Sequence, residues 1–303
     1  MTPRVRDILS SYQADSPAVV GKLANILNAG RTGGTGKLLI SDISQGIEDG
    51  PEESFAGNPN AYDPSYHFRF AKEAGLSALI APRGFIEAAI RDFIGEFPVL
   101  LKINHSISLH SWSGAYATSD LEMAGYLGCS GVVFSLPVGV SDYASRVDAL
   151  AANISLAKKM GLPAVVQIER AVLAGDKYMQ EAIPLDQAMH AVHLACQLGA
   201  NIVQAPDLDL PVASFREVYL EKHLNCEKTS QRVDLLMRSA FNSQRIVITR
   251  FAKHWPAERC YDELRQWVSS GVFGIDLAAS GYAHPFETFK ATIEKYERIL
   301  LGV

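Results

Sequence analysis

Three pairs of polar residues stand two apart at the ends of short apolar runs. They are Asp42 and Ser44 at the end of "KLLISDI", Lys102 and Asn104 in "PVLLKIN", and Gln167 and Glu169 in "PAVVQIE". On an extended strand, residues two apart share a side, so each pair forms one patch on one face. Their types suit general acid–base chemistry. A lysine supplies an amine, and a carboxylate does general acid–base work if burial raises its pKa. Lys102, Glu169, Asp42, Ser44 and Gln204 are the catalytic candidates. Asn104, His105, Arg170, Asp207, Arg250, Asp276, Ser280 and Gly281 stand at neighbouring run ends and are candidates for holding a substrate. Arg250 is a fair phosphate ligand among them, and equally suited to a rim salt bridge. The same residue types also build structural ion pairs, and Lys102 with Glu169 or Asp42 would be one. His105, His110, His254 and His284 also fall near run ends, where three converging imidazoles would bind zinc. No HxH or HExxH spacing supports that, so neither a metal nor a cofactor is expected.

Such residues need a frame that brings distant run ends together. Eight short β-rich runs can be counted, at 37–43, 77–82, 98–104, 131–136, 163–169, 201–205, 245–250 and 273–278. Helical periodicity fills the intervals, at 64–74, 119–127, 142–160, 185–198, 212–241, 256–269 and 286–301. Gly75, Gly128, Gly161, Gly199 and Gly271 each follow a helical pattern and precede a run, where a helix C-cap glycine belongs. Runs without clean alternation suit parallel strands buried on both faces. Eight βα units predict an α/β fold, a (β/α)₈ TIM barrel over 37–303, with its site at the C-terminal strand ends. Residues 1–36 read as an N-terminal extension, a helix over 18–29 followed by the Gly-rich lead-in "AGRTGGTGK". That lead-in precedes the first strand and lacks P-loop spacing, so it reads as a connection. A doubly wound sheet is the runner-up, but no GxGxxG follows an early strand.

The bulk numbers agree with a globular enzyme. The chain has 303 residues, 48% hydrophobic and 20% charged, with a net charge of −5 spread along its length. Nothing in that charge invites nucleic acid or an anionic membrane. No apolar window approaches a membrane span, and the N-terminus lacks a signal-peptide core. The four cysteines are far apart with no CxxC, as expected of reduced thiols in a cytoplasmic protein. Trp112, Trp255 and Trp267 read as packing residues.

The motifs at the run ends resemble those of the archaeal-type class I fructose-bisphosphate aldolases. "AGRTGGTGKLLI" is similar to that family's lead-in, and "SQGIEDGPEESFAGNPNAYDPSYHFRFAKEAGLSALIAPRG" to its first loop, helix and second strand. "FPVLLKINHSISL", "MGLPAVVQIER" and "LGANIVQA" resemble its third, fifth and sixth strands. The resemblance implies the same barrel and a carbon–carbon lyase acting on a phosphorylated sugar through a lysine Schiff base, without metal. It further implies a small-molecule phosphosugar as partner and a homo-oligomer. It also marks departures. The family aspartate before the first-loop glycine corresponds to Ser44, the tyrosine proton donor to Glu169, and the lysine-x-lysine of the sixth strand to Gln204 and Pro206. The glycine-rich phosphate turns correspond to "TRFAKHW" and "AASGYAHP". Rescue by Lys102, with Asp42 or Glu169 as acid or base, is the expected alternative. A catalytically silent barrel is the other.

Overall fold

The computed structural model describes the chain except residues 49, 107–114, 118–119, 171–181, 252–254 and 279–285. For residues 45, 48, 105, 106, 115–117 and 288 only the backbone is described. Eight parallel strands close into a barrel. They are β1 Leu38–Asp42, β2 Ala78–Ala81, β3 Val99–Lys102, β4 Gly131–Val138, β5 Ala164–Arg170, β6 Ile202–Ala205, β7 Ile246–Thr249 and β8 Gly274–Asp276. Neighbours in the chain are neighbours in the sheet, and β8 returns to β1 through Leu38 opposite Gly274. This is the (β/α)₈ TIM barrel, not the doubly wound sheet. The strands are apolar almost throughout because they are covered on both faces. Leu39, Leu79, Leu101 and Val166, for example, are fully buried.

Helices return the chain to the bottom of the barrel, and their ends follow local chemistry. Asp63 caps the helix Pro64–Ala74 by accepting from the Ser65 N–H, and proline occupies its first turn. Gly75 ends it with φ 63, a left-handed conformation that a side chain disfavours, and the same cap recurs at the other four predicted glycines. Two departures from expectation stand out. The segment 212–241 is two helices, Ala213–Glu221 and Thr229–Ser239. His223 supplies the break by taking φ 54 without being glycine. The N-terminal extension also holds two helices, Pro3–Ser10 and Pro17–Asn28.

The N-terminal extension packs at the bottom of the barrel. The Tyr12 hydroxyl donates to the Asn201 carbonyl at 2.6 Å and accepts from the Ile246 N–H at 2.9 Å, tying the starts of β6 and β7. The Gly-rich lead-in lies at that same end. A Cβ on Gly30 would come within 2.3 Å of the Gly75 carbonyl oxygen, and the Arg31 N–H donates to that oxygen at 2.8 Å. Its glycines therefore serve close backbone approach, as a connecting loop requires.

Candidate functional site

Strand register decides which side chains enter the barrel. Asp42 stands opposite Ile80, and Ile80 opposite Leu100, two residues before Lys102. Ser135, Gln167 and Gln204 are successive partners across β4, β5 and β6. Asp276 stands opposite Ile40 on β1. Because the side-chain period is two, all these residues share the inner face with Glu169. The lower inner positions are apolar: Leu38, Ile40, Ile80, Leu100, Val133, Val165, Ile202 and Ile248 are buried. Polarity begins one layer from the top, at the C-terminal strand ends.

Lys102 is the centre of that polar layer and is fully buried. Its Nζ lies 3.7 Å from Asp42 Oδ2 and 3.7 Å from Glu169 Oε1, and it donates to Gln167 Oε1. Gln167 turns its Nε2 the other way, to Asp42 Oδ2 at 2.8 Å and Gln204 Oε1 at 3.1 Å. Glu169 Oε1 accepts from the Ser135 hydroxyl at 3.1 Å and lies 3.6 Å from Arg250 Nη2. Asn104 fixes β4 beside it, donating to the Ser135 carbonyl and accepting from the Ser135 N–H, each at 2.9 Å.

Asp42 and Asp276 form the opposite wall. The Ser44 N–H donates to Asp42 Oδ1 at 2.9 Å, so both Asp42 oxygens are engaged. Burial alone would raise its pKa, but Lys102, Ser44, Gln167 and Arg250 together outweigh burial and hold it below the ordinary carboxylate range. Asp276 goes the other way. Burial and the neighbouring Asp42 charge push it up to about 7, although Arg250 and two backbone N–H groups oppose the shift.

Lys102, Glu169, Asp42, Ser44, Gln204, Asn104, Arg250 and Asp276 therefore meet at one end of the barrel. Arg170 ends β5 exposed and reaches the Ala182 carbonyl at 3.5 Å. Asp207 lies past β6 among charges of the surrounding helices, Glu263, Arg259 and Arg232, and burial pushes it up to about 6. His105 belongs to a short strand, Asn104–Ser106, and its side chain lies outside the described residues, as do Ser280 and Gly281. Among the described residues no group of three His, Cys, Asp or Glu side chains is placed to hold a metal. His110, His254 and His284 are not among them. Gln167, paired with Glu169 by its spacing, and Ser135, near the end of its run, are integral members of the layer although neither stands among the catalytic or binding candidates. The signal was present in the spacing, since Gln167 precedes Glu169 by two.

The layer combines an ammonium, a guanidinium and three carboxyl groups, all buried except the partly exposed Arg250. Such a site can hold a polar carbonyl compound, stabilise an oxyanion and move protons. Lys102 Nζ stands between two carboxyl groups, and an ammonium paired there is no nucleophile.

No family model matches the chain. It is similar to a probable class 1 fructose-bisphosphate aldolase of Chlamydia trachomatis, with 32% identity over 208 residues, covering 65% of this chain and 59% of that protein. It is also similar to the class 1 fructose-bisphosphate aldolase of Thermoproteus tenax, with 31% identity over 170 residues, 56% of this chain and 62% of that protein. The chain thus spans about three-fifths of the length of these curated relatives. Among solved structures, a fructose-bisphosphate aldolase from Slackia heliotrinireducens superposes with TM-score 0.77 at 17% identity, over 96% of this chain and 89% of its own. An archaeal fructose 1,6-bisphosphate aldolase superposes with TM-score 0.72 at 21% identity, over 92% of this chain and 98% of its own. The structures share the fold, and the resemblance to class 1 fructose-bisphosphate aldolases holds in the sequence as well.

Proposed function

We propose that this relative of the class 1 fructose-bisphosphate aldolases is an aldolase-type carbon–carbon lyase for a phosphorylated sugar or a small polar carbonyl compound. The observation that carries the reading is the fully buried Lys102 set between Asp42 and Glu169 where the aldolase-type barrel places its chemistry. In this reading the reaction proceeds without an imine on β6, because Gln204 and Pro206 offer no amine. The Lys102 ammonium stabilises negative charge on the substrate carbonyl oxygen, the role that an imine otherwise fills as electron sink. Glu169, oriented by Ser135 and Arg250, takes the proton of the hydroxyl on the carbon being released. As that proton leaves, the carbon–carbon bond breaks and its electron pair moves into the carbonyl, giving an enediolate. Arg250, partly exposed at the rim, binds the phosphate. Asp42 positions Lys102 and Gln167 rather than touching substrate. A cytoplasmic homo-oligomer accompanies this reading, and sedimentation at micromolar concentration tests the association.

The test uses dihydroxyacetone phosphate in deuterium oxide. The protein should wash solvent deuterium into the carbon next to the carbonyl, and borohydride added during the exchange should leave both Lys102 and the peptide 199–211 unmodified. A trapped adduct on Lys102 would overturn the ammonium role. Absence of both exchange and cleavage of fructose 1,6-bisphosphate would overturn the lyase reading.

A further inference from the structure

Asp276 is held differently from every other acid in the polar layer. Its Oδ1 accepts two backbone N–H groups, from Asp42 and from Ala278, each at 2.9 Å. Its Oδ2 has no hydrogen-bond partner among the described residues and is shut off from water, in a residue only 2% exposed. A buried bare carboxylate oxygen is costly, whereas a buried hydroxyl awaiting an acceptor costs less. Leu277 and Ala278, just past β8, bring a backbone N–H to one oxygen only. Leu277 continues the sheet by donating to the Ile40 carbonyl at 2.8 Å, and Ala278 then turns to φ 45, aiming its N–H back at Asp276 Oδ1. Opposite Ile40 in the register, the Asp276 side chain lies on the inner face.

We propose that Asp276 is a catalytic proton donor whose Oδ2–H is presented to the substrate's carbonyl oxygen, a role that rests on the lyase reading above. As the carbon–carbon bond breaks, its electron pair enters the carbonyl, and the enediolate oxygen that develops beside Lys102 takes the proton from Oδ2. The immediate products are the released aldehyde, a neutral enediol, an Asp276 carboxylate and a protonated Glu169. Ketonisation of the enediol and exchange with water return both groups to their starting states, so no oxidant or further reactant is needed.

The surroundings suit this role. Asp42 on β1 stays ionised and repels a second negative charge, while Arg250 beyond β7 partly offsets that repulsion. Lys102 and Glu169 complete the ring of charges, one beside Asp42 and the other beside Arg250. The balance leaves Asp276 holding its proton up to about pH 7. Two acids in one cavity with opposite shifts divide the work, one as a fixed anion and one as a proton carrier.

Infrared difference spectra with carbon-13-labelled aspartate test the protonation, and deuterium exchange into dihydroxyacetone phosphate tests its use. The wild type should show a carboxylic-acid band at pH 6 that fades as pH rises through about 7. Asp276→Asn should lack the band. It should also lose at least about a hundredfold of the exchange rate, the range expected for removing a general acid, while still protecting against proteolysis when the phosphate is bound. Asp276→Ser serves the same comparison if the amide variant folds poorly. The melting temperature of the wild type should fall relative to Asp276→Asn between pH 5 and 7, because the folded state holds a proton that the unfolded state has released. Exchange by the wild type that Asp276→Asn matches, with the same pH profile, overturns the proposal. So does a labelled carboxyl that titrates below about pH 5 as an ordinary aspartate, whether or not this substrate turns over. Loss of exchange in the wild type itself, with the band present, places the failure in the lyase reading.

Discussion

In the proposed lyase, Lys102 is structural and functional together. Its ammonium neutralises part of a layer that otherwise holds buried carboxylates, so removing it should cost more than its contacts suggest. Lys102→Met leaves Asp42 and Glu169 without their shared cation. Breaking one partner out of a buried ion pair typically costs about 3–5 kcal/mol, and urea denaturation at pH 7 should show a loss of that order. Glu169→Gln is the contrasting case. The amide still accepts from Ser135, so the protein should remain folded, but it cannot carry a proton. Exchange into dihydroxyacetone phosphate should fall by about 10²–10⁴-fold, the usual scale for a lost general acid or base.

At the scale of elements, two features fix how the top and the seam of the barrel hold. His67, on the helix Pro64–Ala74, is fully buried beneath the first loop, with its Nε2 against the Ala61 carbonyl at 2.7 Å and the rings of Phe55, Tyr66 and Phe85 around it. Burial pushes its imidazole down to about 4. The unfolded chain then binds a proton near pH 6.5 that the folded chain refuses until near 4, so stability should fall as pH drops through that window. The loss is about 3 kcal/mol by the usual conversion, and His67→Phe should flatten it in thermal melts taken from pH 7 to 4. At the seam, a Cβ on Gly274 would lie 2.1 Å from the Leu38 carbonyl oxygen, a backbone atom that cannot move without opening β1 from β8. Gly274→Ala should destabilise by about 3 kcal/mol or more, read as a lower urea midpoint. Elements were legible where chemistry is local. The apolar runs gave every barrel strand to within a few residues, and glycine marked five helix ends. The break at His223 was not legible, because a left-handed residue without glycine leaves no compositional mark. Ser135 and the role of Gln167 escaped selection for a similar reason. An amide or a hydroxyl acquires meaning only when register sets it beside a carboxylate. The expected departures at Ser44, Glu169 and Gln204 rest on the resemblance alone, since they stand within otherwise similar motifs.

Over the whole molecule, the two ends of the barrel differ in what holds them. The bottom is tied by Tyr12, by Arg245 over the Tyr12 ring at 4.9 Å, and by the Arg245 bond to the Ser11 carbonyl at 2.9 Å. The top gathers the charges. Changes at the bottom should therefore alter stability alone. Arg245→Ala should lower stability by about 1–2 kcal/mol, the worth of a partly buried cation–π contact and a charged hydrogen bond, and leave kcat/KM for exchange unchanged. A matched loss of activity in the still-folded variant would show the ends to be coupled.

Gln167 carries a consequence of its own. Its oxygen faces an ammonium while its nitrogen faces Asp42 and Gln204, so its amide can sit in one sense only. Asn104 is locked likewise by two bonds to Ser135. In water, the molecules around a reacting group must turn each time charge shifts, and that turning is a large share of the barrier. The top of this barrel behaves as a solvent already turned, its dipoles fastened to strands and unable to relax toward the reactant. Charge that develops along their direction meets no reorganisation cost, and charge that develops against it is opposed from the outset.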